Sequence, residues 1–300
     1  MNNNKNELVV KSNRLIEASY RLTLAEQRVI LLAIAEARRT QTGLSEANLL
    51  EIRAADYAEM FNVPENHAYE QLKDAGQTLF LRYVVFYVIN PKTGKEEKMT
   101  VRWVSSVRYS DGTGIIYLRF SHDMVPYITR LETEFTRYKL EKVAHMSSAY
   151  AIRLYELLIQ WGNVGYREIE LEQLRKILMV VDEYKAIKDF KKRVIDVALS
   201  QINDFSDLAV SYTQRKTGRV VTHLIFRFSQ KEEPKPEPKQ AVKPGFEKTK
   251  ATREELAVEF LKNNAKYQKY HANIAPHIAW RTPAIWGQFA GAFEEWASGR

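Results

Sequence analysis

The chain concentrates its chemically active side chains in one basic stretch of its second half. Between Tyr184 and Arg219 the sequence contains eight lysines and arginines but four aspartates. The local charge is therefore +4, half of the chain's net +8. Such a cluster attracts polyanions, and nucleic acid is the leading candidate. An ordinary solvated basic face is the alternative. The cluster consists of Lys185, Lys188, Lys191, Lys192, Arg193, Arg215, Lys216 and Arg219.

Sequence signatures of catalysis are missing from the 300 residues. There is no cysteine, which excludes disulfides, thiolate metal sites and thiol nucleophiles. There is also no G-x-x-x-x-G-K-[ST] loop or G-x-S-x-G elbow, and the six histidines lack metal-ligand spacing. We therefore expect no enzyme activity, no cofactor and no metal. An endonuclease that nicks an origin, with a His-x-His metal pair and a nucleophilic tyrosine, is the alternative from another class.

The second half of the chain shows the order of elements that could position this basic cluster. We predict helices at 148–161, 171–179 and 184–203, strands at 168–170, 208–213 and 220–228, and a hairpin loop at 214–219. Helix, strand, helix, helix, strand, strand is the winged-helix order. The long helix places Ile187, Phe190 and Val194 on an apolar arc, with Lys185, Lys188 and Lys192 on its flank.

In a helix-turn-helix motif, the N-terminal part of the second helix meets base edges in the major groove, which is where these lysines fall. Arg215, Lys216 and Arg219 lie in the predicted hairpin loop. They would form the wing, beside the helix, and contact phosphates or an adjacent minor groove.

The first half repeats the same order. We predict a helix at 24–39 with a capping box formed by Thr23 and Glu26, a short strand near 50–52, helices at 55–61 and 65–81, and strands at 83–88, 99–109 and 115–120. Finding the order twice predicts an α+β fold of two tandem winged-helix domains, at 8–132 and 133–230.

The second helix of the first half is a poor polyanion binder, because Glu65, Glu70 and Asp74 accompany a single lysine, Lys73. Other basic residues follow it. This half could therefore grip phosphates or offer a protein interface, and we expect both roles: dimerisation and auxiliary DNA contact. The candidate DNA-binding residues here are Lys73, Arg82, Arg102 and Arg108.

The segment between the halves is predicted to form helices at 122–131 and 135–144. It carries Arg137 and Lys139. Ser147 and Ser148 then stand at a helix N-terminus, whose free N–H groups suit a phosphate. Solvent exposure with ordinary capping is the alternative.

Composition changes after the second half. Residues 231–253 are charged and proline-rich, which predicts an extended linker, and residues 254–300 carry apolar residues at helical spacing, at 254–267 and 285–296. We expect a small helical module there. No stretch has the length of a membrane span or the form of a signal peptide, so we expect a cytoplasmic protein with no membrane partner.

Several stretches carry a family resemblance, at 10–13, 22–28, 57–61, 135–140, 148–158 and 189–194. In this order they resemble the iteron-binding plasmid replication initiators, over roughly residues 8–230. The resemblance implies two winged-helix domains. It also implies a protein that binds double-stranded DNA, as a monomer at the repeated origin sites called iterons and as a homodimer at the operator of its own gene.

The resemblance further implies that Lys191, Lys192 and Arg193 occupy the base-contacting stretch, and that the first domain switches between dimer and DNA contact. Relatives often have arginines where this chain has Lys191 and Lys192, and lysine lacks the planar fork that binds guanine bidentately. Either the operator differs, or these lysines contact phosphates while Arg193 or Lys188 contacts bases.

Two interpretations stay open from the sequence. A winged-helix repressor with no role in replication would use the same DNA chemistry. The module at 254–300 lies outside the resemblance, and contact with host replication proteins, such as an initiator or a helicase, is its expected role.

Overall fold

The computed structural model describes residues 7–45, 48–109, 111–129, 134–231, 253–271 and 274–298. The chain divides into two compact units, Met1–Glu233 and Pro234–Arg300. The first unit contains both predicted winged-helix domains and mixes helices with antiparallel sheets, which confirms the α+β fold class.

The first winged helix follows an N-terminal strand and helix. These are β1 (Leu8–Ser12) and α1 (Asn13–Glu17). The domain then runs through α2 (Leu24–Thr40), β2 (Leu50–Arg53), α3 (Ala54–Phe61), α4 (Glu65–Leu79), β3 (Tyr83–Ile89), β4 (Glu96–Arg102), β5 (Val104–Tyr109), β6 (Ile115–Phe120) and α5 (Val125–Thr129).

The second winged helix follows a short connecting pair, β7 (Phe135–Lys139) and α6 (Glu141–Ala144). It consists of α7 (Ala149–Ile159), β8 (Tyr166–Glu170), α8 (Leu171–Ile177), α9 (Ile187–Phe190), a π-helical turn (Lys191–Ile195), α10 (Asp196–Phe205), β9 (Leu208–Thr217) and β10 (Val220–Gln230). From α9 to α10 the backbone is one continuous helix, called the recognition helix below.

The two domains share one sheet topology. The first has the strand order β2-β6-β5 and the second β8-β10-β9, with antiparallel neighbours in both. The hairpin β3–β4 is an addition to the first domain, between its helix-turn-helix and its wing. The predicted duplication is therefore confirmed at the level of architecture.

The predicted single strand at 99–109 was wrong, because it breaks at Trp103. This side chain is fully buried, and its ring meets that of Tyr20 edge-on at 5.0 Å. The break separates β4, which pairs with β3, from β5, which pairs with β6.

The start of α2 is fixed as its sequence predicts. The Glu26 amide donates to Thr23 Oγ1 at 3.2 Å, and the Thr23 amide donates to Glu26 Oε2 at 2.7 Å. Both N–H groups would otherwise lack a partner at the helix N-terminus. Glu26 is fully buried and also accepts from Arg82 Nε at 2.8 Å, so the cap is tied to the end of α4.

The prediction of a helix at 135–144 was wrong for its first half. Residues Phe135–Lys139 form strand β7, which pairs antiparallel with β1. Thr136 and Tyr138 are buried whereas Arg137 and Lys139 are exposed, the two-residue alternation of a half-buried strand. The predicted domain boundary at residues 132 and 133 falls within 130–133, outside the described residues.

A single apolar core runs from Val9 to Phe228 and includes residues of both winged helices. The two domains are therefore packed together over a shared interior. Within the described ranges, no helix has the length and apolar character needed to cross a membrane.

The C-terminal unit is a small helical module, as predicted, but its helices are shorter. They are α11 (Arg253–Asn263), α12 (Ala265–His271), α13 (Pro276–Arg281), α14 (Pro283–Trp286) and α15 (Ala290–Ser298). The predicted helix at 254–267 ends because the Asn264 side chain accepts from the amides of Lys266 and Tyr267 and starts a new helix. The predicted linker at 231–253 lies outside the described residues except at its two ends.

Glu7 gives the first domain a pH-dependent stability. Burial, with the charges of Glu36 and Asp56, raises the pKa of Glu7 from 4.5 to about 7. The folded state then holds a proton that the unfolded chain releases, so stability falls as the pH rises from 4.5 to 7.

We expect Glu7→Gln to stabilise the protein at pH 8 by about 1 kcal/mol, a value reduced for the partial exposure of the carboxylate. At pH 4 the two proteins should be equally stable, because the carboxyl group is then mostly neutral in both states. Urea unfolding at the two pH values measures this. An equal gain at both would show that the charge of Glu7 is not responsible.

Candidate nucleic-acid interface

The helix-turn-helix of the second domain is held by Arg175, which is nearly buried on α8. Its guanidinium donates to the carbonyl oxygens of Glu183, Tyr184 and Lys185 at 3.4, 3.0 and 3.4 Å. It also lies 4.9 Å from the centre of the Phe190 ring. These contacts fix the turn from which the recognition helix starts. Sequence reasoning missed Arg175, because backbone acceptors leave no side-chain pattern.

The recognition helix begins at Ile187, not at residue 184 as predicted. Tyr184 has a φ of +49°, a left-handed conformation that a helix cannot include. Lys185 is exposed, but it belongs to the turn before the helix and not to its flank.

The π-helical turn keeps the buried side of this helix aligned. Phe190, Val194, Ala198 and Ile202 are buried at four-residue spacing, which would drift around an α-helix of 3.6 residues per turn. A π turn takes up one extra residue and corrects the drift. Its opposite side carries the neighbouring residues Lys192 and Arg193, and both are exposed.

Three cations on the helix are available to a ligand. Lys188, Lys192 and Arg193 are exposed, and none of them has a carboxylate within ion-pair distance in the described part of the chain. Asp196, the first residue of α10, instead accepts a hydrogen bond from the Tyr212 hydroxyl at 2.7 Å. This surface therefore keeps its positive charge.

Lys191 has a different position from its two neighbours. Its Nζ donates to Gln214 Oε1 on β9 at 3.2 Å and lies 5.4 Å from the centre of the Tyr212 ring. The side chain is half-buried and braces the recognition helix against the wing. Of the basic triplet singled out from the sequence, Lys192 and Arg193 are the members that face solvent.

The wing is longer than predicted. The ladder of β9 and β10 continues through residues 214–217, so the loop predicted at 214–219 contracts to Gly218 and Arg219. Gly218 has a φ of +61°, the conformation for which a two-residue hairpin turn favours glycine. Lys216 and Arg219 are exposed on this extended hairpin.

Arg215 is already engaged within the sheet. Its Nη1 lies 2.9 Å from Glu168 Oε1 on β8, and its Nη2 lies 2.7 Å from His223 Nε2 on β10. Much of its charge is thus neutralised before any phosphate approaches.

We expect the double variant Lys216→Ala with Arg219→Ala to bind all DNA sequences more weakly and to lower the slope of log affinity against log salt by up to about two. Arg215→Ala should lower that slope less, because its charge is opposed by Glu168. Titrations across a salt series measure both slopes. If Arg215→Ala lowered the salt slope more than the Lys216→Ala, Arg219→Ala double variant does, this assignment would be refuted.

Two of the predicted residues of the first domain are held in ion pairs. Lys73 Nζ lies 2.6 Å from Asp111 Oδ1 and 4.7 Å from the centre of the Tyr109 ring. Arg82 bonds the buried Glu26. The exposed face of α4 carries its acidic residues, Glu65, Glu70 and Asp74.

The other two predicted residues of that domain also make internal contacts. Arg102 Nη1 donates to the carbonyl oxygen of Phe80 at 2.9 Å, and the Arg108 guanidinium lies 4.7 Å from the centre of the Tyr117 ring. The helix-turn-helix of the first domain thus presents a far less cationic surface than that of the second.

The amides of Ser147 and Ser148 are occupied. Both donate to Gln201 Oε1 on α10, at 2.9 and 3.0 Å, and Gln201 Nε2 donates to Ser147 Oγ at 3.0 Å. Arg137 is exposed on β7, and Lys139 lies 3.8 Å from Glu141 Oε1. The helix N-terminus at Ser147 and Ser148 is therefore occupied, and Arg137 is an exposed cation of this connecting segment.

The chain has two winged helices in tandem, and the second has a cationic recognition helix beside a basic wing. These features place it in the class of winged-helix proteins that bind nucleic acids. The family described as "Initiator Replication protein, WH1" matches residues 8–159, and "Initiator Rep protein, WH2" matches residues 170–228. The chain belongs to this family of replication initiators. The resemblance noted in the sequence is confirmed.

Three curated relatives, all from Escherichia coli, match this chain over more than two thirds of their own length. A "Replication initiation protein" is 28% identical over 228 residues, which cover 74% of this chain and 69% of that protein. A "PI protein" is 25% identical over 258 residues, 76% of this chain and 84% of that one. An "Uncharacterized 27.6 kDa protein" is 28% identical over 231 residues, 74% and 95%.

The fold is also similar to that of a solved initiator. The crystal structure of the Pi initiator protein in complex with iteron DNA superposes with a TM-score of 0.64 at 24% identity, covering 77% of this chain and 100% of that chain. This similarity concerns the fold.

Proposed function

We propose that this protein initiates plasmid replication by binding the iterons of its origin as a monomer through its second winged helix. The observation that carries the proposal is the unopposed charge of Lys188, Lys192 and Arg193 on the recognition helix, beside Lys216 and Arg219 on the wing. The Pi initiator, which has this fold, was crystallised with iteron DNA. The protein acts by binding and not by catalysis, in the cytoplasm where plasmids replicate.

In this proposal the recognition helix enters the major groove. Arg193 can bind guanine O6 and N7 with its planar fork, whereas Lys188 and Lys192 supply single donors to bases or phosphates. Lys216 and Arg219 contact the backbone next to the groove and add affinity without sequence preference.

A gel shift with the plasmid's own tandem repeats and a scrambled duplex of equal composition tests this function. We expect the repeats to bind at least about 1,000-fold more tightly, the usual lower bound for specific sites. Equal affinity for both duplexes would refute sequence-specific initiation. The same protein mixed with supercoiled origin DNA and Mg²⁺ should yield no open circles; nicked product would favour the endonuclease.

We further propose that the first domain forms the homodimer, which represses the protein's own gene, through the added hairpin β3–β4. Its strand β3 exposes large apolar side chains: Tyr83 is 45% exposed, Tyr87 51% and Ile89 64%. Exposed apolar patches with polar rims mark protein interfaces. On β4, Lys98 and Glu96 stand opposite Tyr87 and Ile89 and would form such a rim.

We expect Tyr87→Lys with Ile89→Lys to make the protein monomeric while iteron binding is retained, because charged side chains would be buried at the contact. Sedimentation velocity measures the state. Val164→Lys, at a side chain 61% exposed in the second domain, is the matched control and should leave the dimer intact. A dimer that survives the double substitution would place the interface elsewhere.

We assign contact with host replication proteins, an initiator or a helicase, to the C-terminal module. It lies outside the residues that the family matches, which end at 228. Its own aromatic core, with Phe260, Phe289 and Phe293 buried, allows it to act as a separate binding unit. Loss of plasmid replication with unchanged iteron binding, after deletion of the module, would support this assignment.

A further inference from the structure

A cluster of buried charges lies where the two winged helices meet. Lys11 on β1 and Glu156 on α7 are both fully buried, and their Nζ and Oε1 atoms are 2.7 Å apart. Arg153, 3% exposed on α7, lies 3.4 Å from Glu156 Oε2. The hydroxyl groups of Tyr138 and Tyr20 donate to the same carboxylate at 2.6 and 3.4 Å.

The cluster is geometrically specific. Arg153 also donates to the Tyr20 hydroxyl and, at 2.9 Å, to the carbonyl oxygen of Ala18. Burying charges is expensive, and apolar side chains of similar volume often stabilise a fold as well. Directional bonds to one carboxylate, unlike apolar contacts, fix a single relative arrangement of the elements that supply them.

The elements joined here belong to both domains. Residues 8–22, called the N-terminal strap, supply Lys11, Ala18 and Tyr20. The strap is bonded to the first domain through Ser19, which exchanges two backbone hydrogen bonds with Val85 on β3, at 2.9 and 2.8 Å. Tyr20 also packs on Trp103 of that domain.

The same strap is bonded to the second domain. Glu17 accepts from Arg167 Nη2 on β8 at 2.8 Å, and Arg21 pairs with Glu183 in the turn before the recognition helix. Helix α7, which carries Arg153 and Glu156, packs against the recognition helix at its π-helical turn and along α10. A continuous set of contacts thus runs from β3 to the recognition helix.

We propose that Lys11, Arg153 and Glu156 are positioning residues for DNA binding: the cluster fixes the orientation of the recognition helix relative to the first domain. Both domains then meet the DNA in one register, so that contacts of the first domain add to those of the second. The claim that this orientation helps DNA binding rests on the proposed function. The claim that the cluster fixes the orientation does not.

The orientation is measurable in the free protein, because the chain has no cysteine. Spin labels on Gln77→Cys in α4 and Ser211→Cys in β9, both exposed positions, report the distance between the domains. The test variant is Lys11→Met with Glu156→Gln, which removes both charges and keeps the side-chain volumes. The control is Glu26→Gln with Arg82→Gln, an ion pair with a buried carboxylate inside the first domain.

We expect a broadened distance distribution in the test variant and an unchanged one in the control. Affinity for a full iteron should fall about tenfold in the test variant, because the domains no longer bind as one unit. Affinity for a duplex containing only the contacts of the second domain should not change. Equal distance distributions in the two variants would overturn the proposal.

A milder variant keeps the test decisive if the Lys11→Met, Glu156→Gln protein does not fold. Tyr20→Phe with Tyr138→Phe removes two donors to Glu156 but leaves the charges, and it should broaden the same distribution. A narrow distribution in this folded variant would also count against the proposal. If the distribution broadens but the wild-type protein ignores iterons, the proposed function fails and the orienting cluster stands.

Discussion

Replacing Lys192 and Arg193 together with alanine should strongly weaken specific iteron binding and leave the fold intact. A bidentate contact to a base contributes roughly 1–3 kcal/mol, and a charged phosphate contact adds to it. Losing both side chains should therefore cost about 2–4 kcal/mol, roughly 30- to 1,000-fold in affinity. Both are exposed, so the free energy of unfolding should change by less than about 0.5 kcal/mol.

Gel shifts at physiological salt, with thermal unfolding of the same preparations, measure the two effects. The control is Arg39→Ala with Arg53→Ala, which removes the same charge from side chains 63% and 62% exposed that pair with Glu36 and Glu51. It should bind iterons nearly as the wild type does. Equal losses in the two variants would mean that net charge, and not the recognition helix, accounts for binding.

Replacing Glu156 with alanine should be strongly destabilising. It would leave Lys11 and Arg153 buried without their carboxylate, and removing one partner of a buried pair typically costs about 3–5 kcal/mol. Glu156→Gln should cost less, because it keeps the side-chain volume and its single amide oxygen still accepts at one of the two positions that the tyrosines occupy. Urea unfolding compares the variants.

The pH dependence of stability gives a second measure of Glu156. Burial favours its neutral form, but Lys11 and Arg153 outweigh burial and hold the pKa of Glu156 below its usual value. Its stabilising contribution is therefore present above the pKa of the unfolded chain and is lost as the pH falls through the lower folded value. The wild type should lose more stability on acidification than Glu156→Gln. Parallel pH profiles would contradict the role given to this carboxylate.

Local patterns were sufficient to predict much of the fold. The capping box of Thr23 and Glu26, the alternation of helical periods with β-rich runs, and glycine at 218 depend on neighbours within a few residues. The tandem winged-helix order followed from them. The basic surface of the recognition helix was equally visible, because Lys188, Lys192 and Arg193 need only be exposed.

Features that depend on distant partners could not be predicted. Strand β7 forms because β1 pairs with it from the other end of the domain. Lys11 likewise pairs with Glu156, which lies 145 positions away in the sequence. In the same way, Glu168 on another strand neutralises Arg215, and Gln201 occupies the amides of Ser147 and Ser148. Sequence spacing carries no signal for such contacts, so it could not show that these candidate residues have partners within the protein.

A nuclease footprint on the plasmid's own origin tests the central claim most directly. We expect protected segments that recur with the repeats, about 20 base pairs or roughly two turns of B-DNA apart, so that each recognition helix enters the same face of the duplex. The protection should vanish from every repeat together in the Lys192→Ala, Arg193→Ala protein. Uniform protection without a period, or a periodic footprint that survives the double substitution, would contradict iteron recognition by this helix.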